Sequence, residues 1–150
     1  RIRDGAARLG LSNIRTELQD ASVCREEWKD SADVVLCDVP CPGLGIIRKK
    51  PEIRFKNPDE IRTLPEIQAR ILANCAQYVK KGGTLVYSTC TILQRENEDV
   101  VRAFLTENPE FEAVSWTHPV CGERADGMVT LLPPVHNTDG FFIAKMHRKV

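Results

Sequence analysis

Two of the six cysteines, Cys41 and Cys90, stand where thiol chemistry is most readily done. Each directly follows a predicted strand, in a turn, and Asp38 ends the strand that precedes Cys41. A cysteine thiolate is a strong nucleophile, and a nearby carboxylate can hydrogen-bond a reacting group. The two thiols and the carboxylate are therefore candidate residues of one active site, although their spacing alone leaves a chance arrangement open.

The strands that carry these residues have the pattern of buried parallel strands. Asp33–Val39 is apolar on both faces until Asp38, and Thr84–Ser88 is a second buried run. One predicted helix lies between them, and consecutive parallel strands joined by a helix are usually neighbours. Their carboxyl ends then share one edge of the sheet, where open α/β sheets bind ligands. The sequence thus predicts that the two sulfurs face each other across one cleft.

The other four cysteines indicate no chemistry. Cys37 lies inside a buried strand and Cys75 on the apolar stripe of a helix, as small core residues do. Zinc usually needs close ligand pairs, and the nearest approximation is Cys37 with Cys41, so we predict no metal site. A thiol-redox or zinc domain built on Cys37, Cys41 and Cys90 is an alternative that metal analysis and thiol titration would test.

Short apolar runs alternate with longer amphipathic ones, which is typical of an α/β fold with a mostly parallel sheet. A capping-box pattern at 63–66 predicts a helix start, and Lys80–Gly83 predicts the end of that helix. The remaining predicted elements are a helix over Asp4–Leu11, a strand over Asn13–Leu18, a helix from Glu96 to Leu105, an edge strand over Phe111–Val114, a loop over Cys121–Asn137 and a last strand over Gly140–Met146.

The overall charge excludes a protein that binds polyanions through its bulk charge. The 150 residues include 21 Lys and Arg and 21 Asp and Glu, which gives a formal net charge of zero. Nucleic-acid affinity depends on the phosphates that Lys and Arg neutralise, so any such binding must be local. The densest basic stretch is a candidate, with a solvated surface loop as the alternative. It contains Arg48, Lys49, Lys50, Arg54 and Lys56.

No apolar run approaches the roughly 18 residues that a membrane-spanning helix requires. The start of the chain, Arg1–Asp4, has neither the apolar segment of a signal peptide nor an initiator Met. These features predict a cytoplasmic protein and a chain that is a piece of something longer.

Three ordered blocks carry a resemblance to a known family. Asp38–Gly43, Ser88–Ile92 with Glu96–Glu98 behind it, and Asp139–Lys145 resemble the Nop/Sun family of RNA cytosine-5 methyltransferases. The stretch 44–54 is most similar to the bacterial Sun branch, which modifies 16S ribosomal RNA. The similarity runs through nearly all 150 residues.

Two residues depart from the family's DAPCSG pattern. Val39 replaces its Ala and Pro42 its Ser, but both flank the reactive groups without removing them. The family's glycine-rich cofactor loop has no counterpart here and would lie upstream of Arg1. The chain is accordingly expected to be the carboxy-terminal part, 1–150, of a methyltransferase catalytic domain.

The resemblance implies a Rossmann-like methyltransferase sheet with helices on both faces and strand order 3-2-1-4-5-7-6. This chain would supply strands 3 to 7 and lack the first two. We therefore expect residues 1–32 to be displaced, poorly ordered or paired non-natively. We also expect an open apolar edge on Val34–Val39, with self-association through that edge.

The resemblance also implies roles for individual residues. Cys90 would attack carbon 6 of cytosine, Cys41 would help to release the product, and Asp38 would bind the N3 and N4 edge of the base. The cofactor would be S-adenosylmethionine, and the five basic residues would hold phosphates of ribosomal RNA. The residues implied to contact the cofactor are Asp20, Asp38 and Pro40.

The chain alone is expected to bind the cofactor weakly and to be inactive or nearly so, because the glycine-rich loop is lacking. A non-catalytic RNA-binding module is the alternative function. The residues immediately upstream of Arg1 would discriminate between the two.

Overall fold

The computed structural model describes all 150 residues. The strands are β1 Ala32–Asp38, β2 Val79–Thr89, β3 Phe111–Ala113, β4 Trp116–His118, β5 Gly122–Arg124, β6 Met128–Leu131 and β7 Phe141–Arg148. The α-helices are α1 Ile2–Arg8, α2 Pro58–Arg62, α3 Leu64–Ala76, α4 Glu98–Glu107 and α5 Pro133–His136. Short 3-10 turns span Glu26–Trp28, Leu44–Ile46, Pro51–Phe55 and Gln94–Glu96.

The main sheet has the order β1-β2-β7-β3, and β6 pairs with the part of β7 that β3 leaves free. β1 and β2 are parallel, whereas β7 is antiparallel to β2. This order equals 4-5-7-6 of the predicted topology, so the Rossmann-like α/β class is confirmed. β4 and β5 form a separate two-stranded ribbon.

The core lies between α3, α4 and one face of the sheet. Leu72 of α3 and Val101 of α4 are fully buried with Leu85 of β2, in one apolar cluster that continues onto β7. On the opposite face of β1, Val34 and Leu36 remain 63% and 69% exposed. At β1, helices therefore cover only one face of the sheet, although the resemblance implied helices on both faces. β1 is also the edge strand of the sheet, so the predicted open edge is confirmed.

The predicted strand over Asn13–Leu18 does not form. A strand needs a neighbour for its backbone N–H and C=O groups, and this segment has no strand beside it. Leu18 is accordingly fully exposed. The predicted helix before it is confirmed as α1.

Segment 19–30 is docked, so the expected displacement of 1–32 is wrong for this part. The buried amide of Asn74 donates hydrogen bonds to the carbonyls of Ala21 and Val23 at 2.8 and 3.1 Å. The backbone N–H of Arg25 donates to the Tyr78 hydroxyl at 3.0 Å. These bonds attach the segment to the end of α3 and the turn behind it.

The predicted start of α3 is confirmed at Leu64, but the predicted side-chain cap and the predicted end of this helix are wrong. Thr63 has helical dihedral angles, and its hydroxyl donates to the Glu60 carbonyl of α2 instead of capping α3. The helix ends at Ala76, and 79–83 join β2 because Val79 pairs with Ala32. A register shift follows, and Gly82 has a φ of +76° there, a conformation that glycine adopts readily.

The predicted loop over Cys121–Asn137 is also wrong, because it contains β5, β6 and α5. These elements have four residues or fewer, too short for a periodic pattern to show in the sequence. β6 forms because β7 offers it a free edge opposite Phe141–Ala144.

No helix in the fold has the length and apolar character needed to cross a membrane.

Candidate active site

The loops after β1 and β2 bring Cys41 and Cys90 together. Parallel pairing places Asp38 opposite Ser88, so the two strands end in register and both loops leave the same edge. The Cys41 Sγ lies 3.1 Å from the Cys90 Sγ, and both thiols are free. The backbone N–H of Cys90 donates to the Cys41 sulfur at 3.3 Å. The predicted meeting of the two sulfurs is thus present in the fold.

Both thiols line a cleft of about 310 Å³. Two cations, Lys50 and Lys56, and one carboxylate, Glu52, line the same cleft. Asp38 is not among the lining side chains. The cleft therefore combines nucleophilic and anion-binding groups.

Burial, with hydrogen bonding to the Cys90 thiol, raises the pKa of Cys41 to about 12. Backbone N–H groups of Cys90 and Gly43 act in the opposite direction but do not compensate for the burial. Cys41 consequently retains its proton near neutral pH and can donate a hydrogen bond to the Cys90 sulfur. Hydrogen bonding with Cys75 and burial raise the pKa of Cys37, which lies in the core as predicted.

A backbone bridge ties the active-site loops to the third block of the resemblance. The N–H of Gly45 donates to the Cys90 carbonyl at 2.9 Å, and the N–H of Gly140 donates to the Gly45 carbonyl at 2.8 Å. Three segments far apart in the sequence thereby meet directly behind the Cys90 loop.

Asp38 and Pro40 are exposed at the carboxyl end of β1. Ser88 donates to Asp38 Oδ1 at 2.8 Å, and Asp38 Oδ2 accepts no hydrogen bond. A carboxylate oxygen that is free to accept fits a cofactor carrying amino and cationic groups. Asp20 is less available, because both the N–H and the hydroxyl of Ser22 bind its Oδ1 and hold its pKa low.

The five basic residues of the candidate RNA-binding stretch have three kinds of surroundings. Arg48 and Lys49 form ion pairs with Asp139, whose pKa these cations lower. Lys50 and Lys56 line the thiol cleft. Arg54 instead donates to the Pro51 carbonyl at 3.2 Å and pairs with no carboxylate.

Three functional candidates escaped the sequence reasoning. Phe55 is 84% exposed inside the basic stretch, with the Arg54 guanidinium 5.9 Å from its ring centre. Its signal was an aromatic residue among cations, which is typical of single-stranded nucleic-acid sites. Gln68 and Glu96 are fully buried polar residues beneath the Cys41 loop. Glu96 stands in the second block of the resemblance, but nothing in the sequence pairs it with Gln68.

No group of three or more His, Cys, Asp and Glu side chains is arranged to hold a metal ion. Cys37 packs with Cys75 of α3, away from the pair that the zinc alternative would require.

Comparison with known proteins identifies the family. The model of the family described as 16S rRNA methyltransferase RsmB/F matches residues 1–147. This chain belongs to the RsmB/F family. The match includes both thiol loops and the Gly140 segment, so the resemblance seen in the three blocks is confirmed.

Members of the RsmB/F family are similar to this chain along nearly its whole length. The probable ribosomal RNA small subunit methyltransferase B of Bacillus subtilis is 43% identical over 155 residues, covering 99% of this chain and 35% of that protein. The ribosomal RNA small subunit methyltransferase B of Thermus thermophilus is 40% identical over 146 residues, covering 95% of this chain and 35% of that protein. The crystal structure of PH0851 superposes with a TM-score of 0.91 at 35% identity, covering 99% of this chain and 34% of that one. The chain spans about a third of the length of these relatives.

Proposed function

We propose that this chain is the carboxy-terminal part of the catalytic domain of a ribosomal RNA cytosine-5 methyltransferase that acts on 16S RNA. The names of its relatives support a small-subunit ribosomal RNA substrate. The contact of two thiols at the ends of parallel strands carries the proposal for cytosine-5 chemistry.

Cys90 is the proposed nucleophile. Carbon 5 of cytosine is too poor a nucleophile to take a methyl group directly, so the ring must first be activated. The Cys90 thiolate adds to carbon 6, forming a carbon–sulfur bond and moving an electron pair toward carbon 5. Its free thiol lines the cleft, where a bound base can reach it, which supports this role.

Cys41 is the proposed release residue. After methylation, the proton on carbon 5 passes to a solvent base, the carbon 5–carbon 6 double bond re-forms, and the carbon–sulfur bond breaks with its electrons returning to Cys90. The Cys41 thiol is protonated and 3.1 Å away, so it can donate a hydrogen bond to the departing sulfur.

S-adenosylmethionine, when bound, supplies an electrophilic methyl group. Asp38 and Pro40 are the residues of this chain proposed to contact it, with Asp20 as a further contact to its adenine. Asp38 also suits the N3 and N4 edge of the base, since Ser88 orients its carboxylate and leaves Oδ2 free. Lys50 and Lys56 are proposed to hold phosphates around a base that is unstacked to reach Cys90.

We propose that residues 1–150 alone bind the cofactor weakly and methylate RNA poorly. The relatives are about three times as long, and β1 exposes an edge and an apolar face where further structure would pack. Calorimetry that returned micromolar affinity for the cofactor with this chain alone would contradict this proposal.

The thiol roles are tested in the full-length enzyme, with the substrate RNA and a denaturing gel. Cys41→Ala should accumulate a covalent RNA adduct, whereas Cys90→Ala should give neither adduct nor methylation. Cys121→Ala, a cysteine outside the cleft, is the matched control and should behave as wild type. An adduct with Cys90→Ala but not with Cys41→Ala would mean that the two roles are reversed.

A further inference from the structure

A buried carboxylic acid, Glu96, lies beneath the active site and has no role in the reaction proposed for the two cysteines. Glu96 is fully buried in the 3-10 turn that follows the Cys90 loop. Acidic side chains are rarely fully buried, because removing their charge from water is costly unless partners compensate. The contacts of Glu96 therefore indicate what the burial accomplishes.

Its principal partner is Gln68, a fully buried residue of α3. The side-chain amide nitrogen of Gln68 donates one hydrogen bond to Glu96 Oε2 at 2.8 Å and a second to the Pro40 carbonyl at 3.0 Å. Both N–H groups of the glutamine are thereby used. Pro40 immediately precedes Cys41, so the Gln68 amide holds the backbone from which that thiol extends.

Further contacts hold Glu96 itself in place. The Tyr87 hydroxyl donates to the Glu96 backbone carbonyl at 2.6 Å. Burial raises the pKa of Glu96, against the opposing effects of Gln68 and Arg95. The Oε1 atoms of Gln68 and Glu96 are buried and accept no hydrogen bond from the chain.

We propose that Glu96 and Gln68 are positioning residues for product release: Glu96 orients the Gln68 amide, which holds the Pro40 carbonyl and so keeps the Cys41 sulfur against Cys90. This inference rests on the proposed function, in which Cys41 acts on the covalent adduct.

The Cys90 loop is held by different contacts. The Thr89 hydroxyl donates to Asn97 Oδ1 at 2.6 Å, and the Asn97 amide donates to the Thr91 carbonyl at 3.1 Å. Loss of the Gln68 amide therefore displaces Cys41 more than Cys90. Attack on the base continues while release slows, so the adduct accumulates although both cysteines are present.

The test uses the full-length enzyme, its RNA substrate and a denaturing gel. Gln68→Leu, similar in size but without an amide, should slow adduct release about tenfold, as expected for a buried hydrogen bond lost near the reacting group. Glu96→Leu should do the same. Glu96→Gln keeps an acceptor for the Gln68 amide and should release product as wild type does.

Asn74→Leu is the matched control, because Asn74 is a buried amide on the same helix that binds segment 19–30. It should lower stability without accumulating adduct, which separates positioning from general loss of structure. Gln68→Asn, too short to reach both partners, replaces Gln68→Leu if that variant does not fold.

Cys41→Ala, analysed in parallel, separates the two proposals. If Cys41→Ala traps the adduct but Gln68→Leu and Glu96→Leu do not, the positioning role is wrong and the proposed function stands. If Cys41→Ala traps no adduct, the proposed function itself fails.

Discussion

Gly45 and Gly140 meet backbone to backbone behind the Cys90 loop. A Cβ atom on Gly45 would lie 2.0 Å from the Gly140 carbonyl oxygen, and one on Gly140 would lie 2.6 Å from the Gly45 Cα. Both positions thus require glycine for close approach, irrespective of backbone conformation. This contact closes the bridge that ends on the Cys90 carbonyl.

Gly45→Ala should destabilise the fold by about 1–3 kcal/mol, as overpacking does, and should abolish most methylation by the full-length enzyme. The clash is with backbone, so it can be relieved only by moving the loops that carry the bridge. Gly5→Ala is the control, because a Cβ there meets nothing within 4 Å. Denaturant unfolding and methylation assays check both variants. Normal activity of Gly45→Ala would show that the close contact of the two glycines is not required for catalysis.

The basic residues should contribute unequally to RNA binding. Lys50→Ala and Lys56→Ala should each weaken binding and reduce the slope of log affinity against log salt by about 0.7, the value for one single-strand phosphate contact. Arg48→Ala and Lys49→Ala should have smaller effects, because both side chains already pair with Asp139, which offsets one of their two charges. RNA affinity measured across a series of salt concentrations tests this prediction. Equal salt slopes for all four variants would show that the two pairs of basic residues do not differ in their contribution.

Phe55 should act as a stacking platform for a base beside the target. Its 84% exposure leaves the ring free, and stacking of a base on an aromatic side chain contributes about 1–3 kcal/mol. Phe55→Ala should weaken RNA binding with little change in its salt dependence, whereas Phe55→Tyr should retain the affinity. Equal affinities of the wild type and Phe55→Ala would exclude this role.

The stability of the fold should respond to pH through Glu96. Burial raises the pKa of Glu96 in the folded state, so folding favours the protonated acid. Its contribution is fully present below the unfolded-state pKa and is lost as the pH rises through the raised folded value. Glu96→Gln should therefore gain stability relative to wild type as the pH rises above about 4, the unfolded-state pKa of a glutamate.

Urea unfolding at a series of pH values measures this difference. Glu107→Gln, at the exposed end of α4, is the control and should show no such trend. A stability difference for Glu96→Gln that stayed constant, or that shrank with rising pH, would show that Glu96 is not buried as a neutral acid.

The free edge of β1 should drive self-association of residues 1–150. β1 pairs only with β2, and Val34 and Leu36 present an exposed apolar surface beside its unpaired backbone groups. Leu36→Lys should reduce the association, since an edge charge opposes strand addition. Leu18→Lys, on a fully exposed residue outside the sheet, should not. Light scattering that found only monomer over a wide concentration range would contradict this prediction.

The elements predicted well from the sequence are those with long, regular apolar patterns. β1, α4 and β7 appear close to their predicted bounds, and the meeting of Cys41 and Cys90 followed from the rule that such parallel strands are neighbours. The elements predicted badly are those that depend on a distant partner. Asn13–Leu18 has a strand-like sequence but no neighbour, whereas β6 has a weak pattern and forms on a free edge of β7.

By itself, the sequence determined which residue types stand at the strand ends and therefore which chemistry is available: two thiols, a carboxylate and a basic stretch. Only the tertiary structure decided how they are used. It placed the sulfurs 3.1 Å apart, engaged Arg48 and Lys49 with Asp139, and set Gln68 beneath Pro40. The reason is physical: burial and hydrogen bonding are set by residues far away in the chain, which no local spacing can specify.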